Sequence, residues 1–166
     1  PPRRRPPARW SGLLERLPAR AFRIDKMQCL ALEAALKLYY GPSLLLERVP
    51  TLRMITESAD AVRPRTDDLA AALSERLGDR ATIEVVSDES ETGAGSLPTI
   101  SIPTWCVAMS VPGRSCDDVA RRLRTRRHPI FTRVREDRIL FDCRTVLPGE
   151  NDVIVSAVDN VLGNER

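Results

Sequence analysis

The first regular signal along the chain is helical. Met27, Leu30, Ala34 and Leu38 recur at the three-to-four spacing of one helix face. Asp25 stands ahead of them with Gln28 three residues on, the pairing of a capping box, and Gly41-Pro42 stops the run. A second short helix is expected over Ser43 to Arg48, before Pro50. A third is expected over Ala59 to Leu77, with Leu69, Ala72, Leu73 and Leu77 on one face. Pro64 should break or kink its first half, and Gly78 should end it.

The period then changes. Thr82 to Val86 is rich in β-formers, and residues 88–98 read as a Gly/Ser/Pro loop. Trp105, Val107 and Met109 alternate with Cys106 and Ala108. Both sets are apolar, which predicts a strand inside a sheet. Ser115, with Asp118 three residues later, opens a helix whose Val119 and Leu123 face inward. Ile130–Arg135 and Arg138–Cys143 predict a hairpin around Glu136-Asp137, a turn pair without the usual glycine. Ile154, Ala157, Val158, Val161 and Leu162 define a last helix, which Gly163 closes. The order α-α-α-β-β-α-β-β-α predicts an α+β fold, with helices followed by a small, mostly antiparallel sheet that carries helices on one face.

Composition narrows the class without redirecting it. The 166 residues are 42% hydrophobic and 30% charged, the balance of a globular chain with enough length to bury a core. No run of eighteen apolar residues occurs and no signal-peptide pattern opens the chain, so a cytoplasmic protein away from membranes is expected. Four cysteines without a CxxC, and the single histidine His128, give no zinc-site spacing. Cys106 and Cys143 lie in apolar runs and read as core residues. The net charge of +3 makes long-range attraction to nucleic acid modest. Every basic residue except Lys26 and Lys37 is arginine, through GC-rich codon usage or for anion recognition. The opening PPRRRPPARW is expected to be disordered, either an RNA-touching tail or a ragged end.

Four features are candidates for chemistry. Arg20 and Arg23, three apart and just before a helix start, can converge on one anion with the help of that helix terminus, or remain two solvated arginines. The loop SETGAGSLP offers Gly93 and Gly95 for close backbone approach and Ser96 for a hydroxyl, or is simply a strand connection; it is not a phosphate-binding P-loop. Arg121, Arg122, Arg124, Arg126 and Arg127 end a helix, as solvated cations at its negative pole or as contacts to an RNA backbone. Arg144, with Arg133 on the partner strand, can hold a carboxylate in a cleft, although Asp142 makes a structural ion pair equally reasonable. No triad-like neighbour accompanies His128.

Taken in order, several motifs resemble bacterial selenocysteine synthase, the L-seryl-tRNA(Sec) selenium transferases. ARAFRIDKMQCLALEAALKLYY matches the family's R-x-x-R-x-D-K element and the helix after it. VPTLRMIT, SETGAGSLP and PIFTRVREDRILFDCRTVLPGE continue the likeness, which spans about residues 12–162. The resemblance implies the C-terminal small domain of a fold-type I pyridoxal phosphate-dependent transferase. It divides the chain into a tail (1–11), the end of the large domain with interdomain helices (12–57) and the small α+β domain (58–166). It implies an enzyme that replaces the serine hydroxyl of seryl-tRNA(Sec) with selenium from selenophosphate, in a homo-oligomer. Arg20 and Arg23 match family arginines that bind the anionic selenium donor. Arg133, Arg144, Gly93, Gly95 and Ser96 remain further candidates for a substrate cleft. No position here matches the family's Schiff-base lysine, so the cofactor is expected in the complete enzyme and not on this chain alone. Thr132 stands where the family has glycine in P-x-x-G-R. The alternatives are a fragment of a paralogous pyridoxal phosphate-dependent lyase acting on a small amino acid or amino sugar, and a non-catalytic RNA-binding remnant.

Overall fold

A computed structural model of the chain describes residues 24–91 and 101–163. They fall into two compact units, one ending at Val49 and one beginning at Pro50. In the first, helix α1 (Lys26–Lys37) starts on the expected capping box: Gln28 N donates to Asp25 Oδ1 at 2.8 Å, and Asp25 N donates to Gln28 Oε1 at 3.1 Å. Its stripe is present but uncovered by its own unit, with Met27 and Leu30 73% and 57% exposed. Helix α2 (Pro42–Arg48) follows, with proline in its first turn, where the missing N–H costs nothing.

The second unit opens with helix α3 (Pro50–Thr56), which the hydrophobic pattern did not announce because seven residues give too few repeats to set a period. Helix α4 (Ala59–Leu77) has the expected bounds, with Ser58 Oγ accepting from Ala61 N at 3.3 Å. It continues through Pro64 without the expected break. Asp60 and Pro64 are both exposed, so the carbonyl deprived of its donor lies within reach of water.

The sheet is antiparallel throughout, in the order β1-β2-β4-β3, from β1 (Thr82–Glu91), β2 (Ser101–Ser110), β3 (Arg133–Arg135) and β4 (Arg138–Asp142). The strand with two apolar faces is internal, as its pattern predicts. Strand β1 is longer than expected: Asp88 to Glu91, assigned to a loop on composition, pair with Thr104 to Ser101. Glu136 and Asp137, with φ of 52° and 53°, turn β3 into β4. Two successive left-handed residues are the signature of a type I′ turn, whose twist suits a hairpin even without glycine.

Helix α5 (Cys116–Arg124) starts at the expected cap, Ser115 Oγ accepting from Asp118 N at 3.4 Å. Helix α6 (Asn151–Gly163) buries the five residues its pattern named, Ile154, Ala157, Val158, Val161 and Leu162. α4, α5 and α6 pack over one face of the sheet. Leu69, Leu73, Val107, Met109, Leu123, Ile139 and Val158 are fully buried there. Each contributes about 1.5–3 kcal/mol by leaving water.

Candidate functional site

The other face of the sheet is where the polar chemistry collects. Strand alternation sets Asp88 opposite Thr104 and Cys106 opposite Asp142. Asp142 is the hub. Ser90 Oγ donates to its Oδ2 at 2.5 Å, and Thr104 Oγ1 donates to its Oδ1 at 3.0 Å. The Arg144 backbone N–H adds a third hydrogen bond to Oδ1, at 3.1 Å. Arg133 spans the same face: its Nη2 donates to Asp88 Oδ2 at 2.9 Å and lies 3.7 Å from Asp142 Oδ2, while its Nη1 donates to Glu89 O at 3.0 Å. Arg135 completes the set, 3.3 Å from Asp88 Oδ1.

Beneath Arg133 lies the fully buried Cys106, its sulfur 3.5 Å from Arg133 Nη2. Burial, reinforced by the Asp142 and Asp88 carboxylates, pushes this thiol up to about 12, and Arg133 offsets only part of that. A thiol so held is protonated at neutral pH and is no nucleophile. Two carboxylates meet two guanidinium groups, so the cluster is near neutral. It binds the four strands to one another across this face.

Beside it opens a cleft of about 790 Å³. Ile130, Phe131, Val146 and Val153 give it apolar walls, and Glu91, Glu150 and Arg133 give it polar edges. Arg133 lines this cleft. Arg144 is placed differently. It is 2% exposed, and its Nη1 donates to Met54 O at 2.8 Å and Glu57 O at 2.6 Å, while Nη2 donates to Pro103 O at 2.5 Å. Asp142 engages its backbone N–H and not its guanidinium. Close by, Arg65 donates twice to the Glu57 carboxylate, at 2.7 Å each. Those bonds hold the Glu57 carboxyl below its ordinary range. Arg20, Arg23, Gly93, Gly95 and Ser96 lie outside the described residues.

The arginine run divides by partner. Arg121 pairs with Asp118, and Arg122 Nη1 donates to Val161 O at 3.2 Å. Arg124, Arg126 and Arg127 have neither an ion pair nor a side-chain hydrogen bond among the described residues. Also among the described residues, no group of three metal-ligating side chains converges, and no helix is long and apolar enough to cross a membrane.

Residues 13–147 match the family described as L-seryl-tRNA selenium transferase. The chain belongs to this family. The L-seryl-tRNA(Sec) selenium transferase of Alkaliphilus oremlandii is 40% identical over 144 residues, covering 86% of this chain and 30% of the relative. That of Aquifex aeolicus is 38% identical over 87% of this chain and 31% of its own length. That of Nitratidesulfovibrio vulgaris is 37% identical over 93% and 33%. The chain thus spans about a third of the length of these curated relatives. A solved structure of D-glucosaminate-6-phosphate ammonia-lyase is similar at a TM-score of 0.49 and 24% identity, over 87% of this chain and 34% of that one.

Thr132 does not take a left-handed backbone, since Glu136 and Asp137 are the non-glycine residues with positive φ among those described. The hub residues Asp88, Ser90, Thr104 and Asp142 were not singled out together from sequence. The one available signal was the two-residue spacing of Asp88 and Ser90, which a loop assignment concealed.

Proposed function

We propose that this chain forms the C-terminal part of a selenium transferase that converts seryl-tRNA(Sec) to selenocysteinyl-tRNA(Sec) with selenophosphate as donor. The observation that supports it is the family match over residues 13–147, with 40% identity to a named transferase over 86% of the chain. In this reading residues 12–57 close the large domain of a fold-type I enzyme, and residues 58–166 form its small domain. Arg20 and Arg23 bind the anionic donor, and the Arg133 cleft with the Gly93–Ser96 segment borders the substrate. The complete enzyme is a cytoplasmic homo-oligomer.

The cofactor implied by the family is pyridoxal 5′-phosphate, and the described residues do not fit it. The two lysines are Lys26 and Lys37. Lys26 begins a helix whose N-terminal N–H groups meet the Asp25–Gln28 capping box, and Lys37 pairs with Glu33 at 2.7 Å. The starts of α4 and α5 are likewise capped by their own Ser58 and Ser115. Among the described residues, these positions form neither a reactive amine in a cleft nor an open phosphate cradle. The reading therefore assigns cofactor binding to the remaining two-thirds of the family's length and selenium-donor and substrate contacts to this part.

The test is a chimera in which residues 13–147 replace the matching region of the Alkaliphilus oremlandii enzyme, assayed for radiolabelled selenium transfer to seryl-tRNA(Sec). Transfer is expected, with the cofactor chromophore present in the chimera and absent from this chain alone. Arg20→Ala and Arg23→Ala should each cost about 1.5–3 kcal/mol of transition-state stabilisation, with lysine a poor substitute for either. A folded chimera that binds the cofactor but transfers no selenium would overturn the reading.

A further inference from the structure

Arginine is the dominant cation of the second unit, and nearly every one there is engaged. Arg63 pairs with Asp67, Arg76 and Arg80 with Asp159, and Arg138 with Glu84 and Glu136. Arg114 and Arg122 donate to the last carbonyls of α6. Among the described residues of this unit, four arginines lack an ion pair or side-chain hydrogen bond: Arg53, half-buried in α3 with its Nη2 unpaired, and three that are not scattered. Arg124, Arg126 and Arg127 follow one another at the end of α5 and just beyond it.

A helix's negative pole accounts for Arg124, which is in the last turn. It does not account for Arg126 and Arg127, which lie past the C-cap Thr125. Their segment is folded back on the helix, because Ile130 N donates to Leu123 O at 3.1 Å. The guanidinium groups are thus carried on a short closed turn, which reduces the conformational entropy lost on binding.

The surface around them is shaped and mostly neutral. Arg126 separates two hollows on the α5–α6 side. One, of about 520 Å³, has a mostly apolar floor from Val153 and Ala157, with Arg127, His128 and Ser156 around it and Asp152 as its carboxylate. The other, of about 210 Å³, is lined by Arg122, Thr125, Asn160 and Val161. Hydroxyl and amide groups beside unpaired guanidinium forks suit phosphate oxygens and ribose hydroxyls.

We propose that Arg124, Arg126 and Arg127 form a docking surface for the phosphate backbone of a folded RNA. The assignment rests on the reading that the complete enzyme acts on an aminoacylated tRNA, and it places a contact to the body of that RNA on the small domain. The surface positions RNA by charge and shape and reads no base.

The experiment uses the full 166-residue chain. Binding to a fluorescent RNA hairpin of arbitrary sequence is measured by anisotropy from low to moderate salt. The variant Arg124→Gln/Arg126→Gln/Arg127→Gln is compared with Arg63→Gln/Arg121→Gln/Arg138→Gln, which removes the same charge from paired, outlying positions. Thermal melts confirm that both remain folded. Three phosphate contacts should give the wild type about 2–3 units of slope in log K against log salt, or about a 20- to 40-fold loss of affinity over a fourfold rise in salt. The first variant should lose most of that slope, and the control should keep it.

Equal slopes in the two variants would overturn the proposal. So would a stronger dependence on these arginines for vesicles of phosphatidylcholine and phosphatidylserine than for RNA, because the surface would then be a lipid site. The hairpin assay involves no selenium chemistry, so the two readings fail separately. An inactive chimera alongside a lost slope removes only the transferase reading, and an active chimera alongside an unchanged slope removes only the docking surface.

Discussion

Arg144→Met is the substitution with the largest effect expected from this structure. The guanidinium is 2% exposed and serves Met54 O, Glu57 O and Pro103 O at 2.5–2.8 Å, tying the end of α3 and the following turn to the entry of β2. Methionine fills much of the volume but leaves three carbonyls without their donor. An orphaned buried acceptor costs about 1–3 kcal/mol, so the three together set a ceiling of about 9. Two effects lower it. Water can enter where α3 loosens, and removing a buried cation recovers its own desolvation cost. The net loss should be about 3–5 kcal/mol, a large share of the roughly 5–15 that holds an ordinary domain.

The assay is urea unfolding followed by circular dichroism. With a slope of about 2 kcal/mol/M, the midpoint should fall by roughly 2 M. Arg144→Lys should recover a minor part, because one ammonium cannot face three carbonyls in the fork's geometry. A midpoint lowered by less than about 0.3 M, the range of ordinary surface changes, would refute this account and return Arg144 to the role of a ligand-binding residue.

Two further outcomes follow from local geometry. Asp137→Gly should stabilise the chain by about 0.5–1 kcal/mol, because Asp137 adopts φ 53° in a turn that favours glycine second; a lower urea midpoint would contradict the turn assignment. Glu57, held below its ordinary value of 4.5 chiefly by the hydrogen bond from Arg65, should contribute stability that is complete above that value and lost as the pH falls through the depressed one. Comparing wild type with Glu57→Gln should therefore show a gap of about 1–2 kcal/mol near neutrality that closes in acid, and a gap independent of pH would count against the pair.

What the sequence made legible follows the length of the repeating signal. α4 and α6 run for several turns, and their apolar spacing named most of what they bury. α3 has only seven residues and a proline at its start, so its signal was a single turn deep. The second half of β1 was hidden for another reason. Asp88, Glu89, Ser90 and Glu91 carry loop composition, yet Asp88 and Ser90 point into a polar cluster that a strand must deliver. Local propensity could not report that cluster, because its partners Thr104, Arg133 and Asp142 are distant in sequence. Arg133 and Arg144 are alike in sequence, each an arginine beside an inner strand, and only three-dimensional neighbours separate the one on a cleft from the one sealed among carbonyls.

β1 also bears on how copies of this chain meet in a crowded solution. It is an outer strand ten residues long, with no strand partner on its far side among the described residues. Such an edge is a ready template for pairing with another chain. Here Glu84, Glu89 and Glu91 stand exposed along it. Two copies approaching edge to edge would bring carboxylate against carboxylate before the backbones could bond. The acidic spacing that made this stretch read as a loop also acts as a gatekeeper against β-aggregation, and neutralising those glutamates would turn a soluble edge into an adhesive one.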